Sequence, residues 1–281
     1  MSGGLLPLFF FNDFSPMEQK NSPELHWKFL QVLYAEVLHE LEAHFLAINV
    51  PYMPIKGAYL ICRGLASKMR FRRMDDIDVL VKQNDFETVC SYFSNLPQGT
   101  FLKHKWYFEK EFSYSLGTFK CHLEIHFLIN YPARFRLPTE LLFMRAFPES
   151  NCTRVLPCAE DALLILLCHA FVHISFELRE TLFEEINLLS EIEGFSWDLF
   201  WKYAVSTGIE QFIRMVLCIY SRTMKKPIPL PYASMAGILL RPFLEPKRYS
   251  QLPVLVRKLL FEFPFARNPW RLILHKWNAQ E

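Results

Sequence analysis

The sequence predicts an α+β fold in two lobes, with strands and helices mixed over residues 21–150 and helices alone over 151–281. Three observations carry that prediction. Short alternating or apolar segments bounded by turn residues are confined to the first half. From Glu160 onward the pattern turns to long helical runs with no further strand signal. At 281 residues and 51% hydrophobic, the chain buries a sizeable core and lies far from disordered composition.

Residues 1–20 read as a tail. Its stretch GLLPLFFF is apolar, but no positive charge precedes it and Pro7 interrupts it, unlike a secretory segment, so it is read as a tail or docking segment. Ser22-Pro23-Glu24 supplies an N-cap, a proline at the first helical position and an acid at the positive end of the dipole, announcing a helix over 23–47. Leu30, Leu33, Val37, Leu41 and Phe45 form its core stripe, with Glu36, Glu40 and His44 off it. A strand over 52–55 runs through a tight turn at Lys56-Gly57 into a helix over 58–66. A second strand covers 76–81, stopped by Lys82-Gln83-Asn84-Asp85, and a helix follows over 86–95. Strands over 108–116 and 119–129 flank Gly117-Thr118 as a hairpin.

The longest apolar run, 162–176, contains His169 and His173 and is shorter than the ~20 residues that span a bilayer, so no transmembrane helix is expected. Seven cysteines without a CxxC pair, an odd number, point to reduced thiols and a cytoplasmic chain. Net charge is only +2, yet residues 210–281 hold twelve Lys/Arg against four Asp/Glu. That basic quarter, carrying Trp270 and Trp277, suits nucleic acid, anionic lipid or an acidic partner, or forms an ordinary solvated face. The sequence carries no strong oligomer signal.

Side chains two apart on a strand share a face, so Asp76 and Asp78 project together while Ile77, Val79 and Val81 point the other way. Two carboxylates this close repel unless a divalent cation lies between them, and Mg²⁺ is held by one or two carboxylates plus substrate phosphates. By that repulsion, removing one charge would leave the metal-free protein no less stable. The strand around Glu124 repeats the pattern, with His122, Glu124 and His126 on one face and Leu123, Ile125 and Phe127 on the other. Glu124 is then either a solvent-facing residue or the third carboxylate of a two-metal site. Lys56-Gly57 ahead of a helix offers backbone N–H groups to a phosphate, with Lys68, Arg70, Arg72 and Arg73 nearby as further cations or a solvated loop.

Three strings in order, Ile55-Lys56-Gly57, then Arg72-x-Met74-x-Asp76-Ile77-Asp78-Val79-Leu80-Val81, then Leu123-Glu124-Ile125-His126, resemble the signature of the uncharacterised nucleotidyltransferase family of the DNA polymerase beta-like superfamily. The similarity covers roughly residues 30–220. The resemblance implies a small mixed β-sheet flanked by helices as the nucleotidyltransferase domain, then an all-helical C-terminal domain. It makes Asp76 and Asp78 metal ligands and Glu124 the third acid, with Lys56 and Gly57 at the phosphates and Arg72 as a phosphate or carboxylate partner. Many members carry Ser after the glycine where this chain has Ala58, which leaves more of phosphate binding to backbone and Lys56. The leucine-rich helix with His169 and His173 also resembles the family, and these histidines, with His126, are candidates to line the cleft. Family members tend to carry Asp near the position of Glu185. His169-x3-His173 lacks the glutamate of HExxH and is a poor zinc signal.

The activity implied is metal-dependent transfer of a nucleoside monophosphate from an NTP to an acceptor, with Mg²⁺ (or Mn²⁺) as cofactor and pyrophosphate leaving. ATP is among the candidate donors; the acceptor is a small molecule, a protein hydroxyl or an RNA end. The alternative is a catalytically silent module that keeps the fold for binding or regulation.

Overall fold

A computed structural model describes residues 23–69, 74, 76–130, 134–150, 152–172 and 180–230. The tail over 1–20, Arg70, Arg72, Arg73, His173 and the basic stretch over 231–281 lie outside the described residues.

Helix α1 (Pro23–Ala47) leads into strand β1 (Tyr52–Ile55), and α2 (Lys56–Cys62) follows without a loop. The second helix thus starts at the Lys56-Gly57 turn itself and ends earlier than the sequence pattern suggests. Strand β2 (Asp76–Val81) and helix α3 (Phe86–Ser94) fall where the apolar runs place them. Three strands come next, β3 (Gly99–Trp106), β4 (Glu109–Leu116) and β5 (Phe119–His126). β3 has no clean alternation in sequence, and its pairing with β4 slips between Phe101 and Lys103 and again between His104 and Trp106.

The sheet order is β1-β2-β5-β4-β3. Only β2 and β5 run parallel; the other neighbours are antiparallel, so the sheet is mixed. β2 and β5 are interior strands, which explains why Ile77, Val79, Leu80, Val81, Leu123 and Ile125 are all buried. β1 is an edge, and there Pro54 is tolerated because a missing N–H breaks no interior ladder. Tyr52 donates its N–H to the Thr153 carbonyl and bridges to Arg154, so the chain beyond the sheet returns to that edge.

One face of the sheet is apolar and is closed by α1 and α3. Phe45 of α1 stacks on Tyr52 at 4.2 Å, and Phe93 of α3 packs against Phe45, Phe112 and Tyr114. His44 bridges the Tyr92 and Tyr114 hydroxyls at 3.2 and 3.0 Å, which satisfies three polar groups at the apolar border.

A short helix α4 (Thr139–Arg145) and a small hairpin, β6 (Phe147–Pro148) with β7 (Val155–Leu156), connect the sheet to helices α5 (Ala159–Val172), α6 (Glu180–Ser190), α7 (Trp197–Thr207) and α8 (Glu210–Met224). α5 is the central helix: Leu163 to Cys168 are buried on every side, between α6, α7 and α8, with α2 in contact as well. No helix of the described residues is long and apolar enough to cross a membrane.

Arg145 ties this helical part to the rest. Its guanidinium gives a bidentate bond to the wholly buried Asp161 of α5, at 2.8 and 2.6 Å, and lies 3.9 Å over the Tyr203 ring of α7. Burial raises the Asp161 pKa, and Arg145 opposes that shift. Arg145→Met leaves the carboxylate buried without its cation and is expected to cost about 3–5 kcal/mol, read as a lower urea midpoint at unchanged slope.

Candidate active site

The parallel pairing of β2 with β5 places Asp78 opposite Glu124 and Asp76 opposite His122. Across β5 the antiparallel partner strand sets Glu111 opposite Glu124 and Glu109 opposite His126. With a side-chain period of two, one face of the sheet therefore gathers Asp76, Asp78, His122, Glu124, His126, Glu109 and Glu111. Asp78, Glu124, His126, Glu109 and Glu111 are buried, Asp76 is half-buried, and the His122 side chain is 56% exposed.

Lys56 and His126 answer Asp78 and Glu124. Lys56 Nζ lies 2.7 Å from Asp78 Oδ1. His126 Nε2 lies 3.1 Å from the same oxygen and 3.4 Å from Glu124 Oε2. Burial alone would raise the Asp78 pKa, but the Lys56 ammonium and the His126 imidazolium hold it far below the usual carboxylate range. Burial works against charge on Lys56, yet Asp78, Asp76 and Glu124 together raise its pKa above the ordinary lysine value. All three predicted acids therefore act on one ammonium. Burial also disfavours the imidazolium of His126, and hydrogen bonds to Asp78 and Glu124 overcome it, pushing its pKa up to about 9.

The backbone contributes as well. Lys56 is non-glycine at φ 53°, in the left-handed region, an arrangement that costs on the order of 1–3 kcal/mol and is kept only where the surroundings fix it. At this position the strained turn sends β1 into α2 and delivers the ammonium to Asp78.

Ligand atoms of Asp78, Glu124 and His126 lie within 4.8 Å of one another, close enough for all three to reach one ion. Carboxylate oxygens and one imidazole nitrogen are donors suited to a divalent cation. Asp76 stands one step along β2 from this group and shares its influence on Lys56. Gly57 is buried at the start of α2, and Ala58 beside it is fully buried. His169 is half-buried in the last turn of α5.

Sequence reasoning missed Glu109 and Glu111. Their signal was present: Glu109-Lys110-Glu111 alternates as Asp76-Ile77-Asp78 does, and Lys110 turns to the opposite face, to Glu87 and the Phe86 ring of α3. Glu111 pairs with Lys103 and His122, each at 3.2 Å.

The model of a family described as uncharacterised nucleotidyltransferase matches residues 25–225. No curated protein and no solved structure matches the chain.

The ion pairs reverse the expectation that a lost charge at Asp78 is harmless to the metal-free protein. Asp78→Asn takes from Lys56 and His126 the carboxylate nearest to both, and a loss of about 3–5 kcal/mol is expected in EDTA by denaturant unfolding. pH acts through His126. Its folded pKa lies above the unfolded value near 6.5, so its contribution is complete below pH 6.5 and is lost as pH rises through about 9. In EDTA the stability should fall over that window by on the order of 3 kcal/mol, and His126→Gln should flatten the decline.

Proposed function

The chain belongs to the uncharacterised nucleotidyltransferase family, and on that footing we propose that it moves a nucleoside monophosphate from an NTP to a hydroxyl acceptor with release of pyrophosphate. The observation that carries this reading is the register of β2 and β5, which sets Asp78 beside Glu124 with Asp76 on the same face. In this reading residues 21–150 form the nucleotidyltransferase domain and 151–281 a helical domain with a basic C-terminal region.

Asp76, Asp78 and Glu124 hold Mg²⁺ or Mn²⁺. Bound there, the ion supplies Lewis-acid stabilisation of the triphosphate and lowers the pKa of an attacking hydroxyl. Glu124 positions that hydroxyl and takes its proton, as the acceptor oxygen bonds to the α-phosphorus and the bond to the pyrophosphate oxygen breaks. Lys56, which neutralises Asp78 in the metal-free chain, turns its ammonium to the phosphates once the acids are otherwise compensated. Gly57 has no Cβ, so the backbone can approach a phosphate closely, and Arg72 is a further phosphate partner. His126, and with it His169 and His173, is assigned to the cleft. The acceptor is a small molecule, a protein hydroxyl or an RNA end.

One observation favours a second reading, a silent binding module. Lys56 and His126 both contact Asp78, so that carboxylate is already compensated without an ion. Incubation with each labelled NTP, Mg²⁺ or Mn²⁺ and a lysate, together with calorimetry of NTP binding, separates the two. Transfer of label with pyrophosphate release is expected, lowered at least about 100-fold by Asp78→Asn or Glu124→Gln. Lys56→Ala should weaken NTP binding. Equal NTP affinity in EDTA and Mg²⁺, with no labelled product, would overturn the transferase reading in favour of the module.

A further inference from the structure

Glu109 is a buried carboxylate on the site's own face that the transfer reading leaves without a task. It sits directly across from His126 in the antiparallel pairing of β4 with β5. Its Oε2 faces His126 Nδ1 at 3.5 Å, while Nε2 of the same ring faces Asp78 and Glu124 at 3.1 and 3.4 Å. The ring is 4% exposed, and Nδ1 has no hydrogen-bond partner among the described residues. The imidazole is thus clamped between two sets of acids, one at each nitrogen.

From this geometry we infer that Glu109 is a positioning residue that turns His126 Nε2 toward Asp78 and Glu124, making the imidazole a metal ligand and the site selective for Mn²⁺ over Mg²⁺. The inference rests on the metal-dependent reading above and names the ion and the residue that selects it. A neutral imidazole carries one N–H. With Nε2 as donor atom that hydrogen is on Nδ1, and Glu109 is the acceptor facing it, so the carboxylate fixes both tautomer and ring orientation. Mg²⁺ takes oxygen ligands and keeps its waters, whereas a nitrogen among oxygens suits a first-row transition ion. Two carboxylates with one imidazole therefore favour Mn²⁺, and Asp76 adds a further oxygen within the same field.

The test uses the full-length metal-free chain and Mn²⁺ or Mg²⁺ alone. Calorimetry is expected to show Mn²⁺ bound at least about tenfold more tightly than Mg²⁺. Electron spin-echo spectra of bound Mn²⁺ should carry the ¹⁴N modulation of a coordinated imidazole, and His126→Gln should remove it. Glu109→Ala should weaken Mn²⁺ binding about 10–100-fold and Mg²⁺ binding less. Glu109→Gln, whose amide oxygen still accepts from Nδ1, should retain most of the affinity, which a role in bulk stability would not produce. Bound Mn²⁺ without ¹⁴N modulation in the wild type overturns the inference whether or not any variant folds. So does failure to bind Mn²⁺, or wild-type Mn²⁺ affinity in a folded Glu109→Ala. Nitrogen-coupled Mn²⁺ with no NTP transfer would sink the transferase reading alone, and transfer with Mn²⁺ lacking nitrogen coupling would sink this one alone.

Discussion

Carboxylates set side by side on neighbouring strands repel, and the architecture of this sheet is organised around that repulsion. At a separation of about 5 Å and an effective dielectric near 20, two such charges oppose each other by roughly 3 kcal/mol. Parallel register leaves Asp78 and Glu124 no freedom to part, because every residue on β2 and β5 is fixed by its ladder. Compensation has to come from cations held equally rigidly. Lys56 is delivered by a left-handed turn between β1 and α2, and His126 by the next same-face position on β5. His126 is buried and the Lys56 side chain is only 11% exposed, so their attraction to the acids is little screened by salt.

Most of the sheet was legible in the sequence. The apolar-polar alternation of residues 76–81 and 119–126 fixed which side chains share a face, and the same period put Asp78 and Glu124 on one side. α1 was legible from its stripe, with its C-terminal end at Ala47, while the Ser22 cap lies outside the described residues. β3 was not. Phe101 and Leu102 are partly exposed, and two slips in pairing break its period, so its assignment depends on β4 rather than on its own residues. Among the described residues, α5 to α8 were legible as helices and not as packing, and β7 falls inside the range expected to hold helices alone. α5 is buried all round, so no polar stripe reports its orientation, and its neighbours are set by tertiary contact.

For the site, the sequence identified residues better than relationships. Lys56 was expected to meet phosphate, and in the structure its ammonium rests on Asp78. That contact depends on the backbone turning left-handed at a lysine, for which side-chain pattern gives no signal. His126 was grouped with a cleft, while the fold sets it inside the acid cluster, with a different carboxylate at each nitrogen. Cross-strand partners are invisible until register is known. A one-residue slip between β4 and β5 would send Glu109 and Glu111 to the apolar side, against α3.

Both rims of the sheet are irregular, and this bears on how the protein meets other chains. β1 lacks one N–H at Pro54 and is already touched at Tyr52 by the segment around Thr153, while β3 changes register twice along its length. Neither rim presents the continuous row of donors and acceptors on which an incoming extended chain builds a ladder. Recognition of a polypeptide by strand addition, and edge-to-edge stacking of one copy on another, are therefore disfavoured at both ends of the sheet.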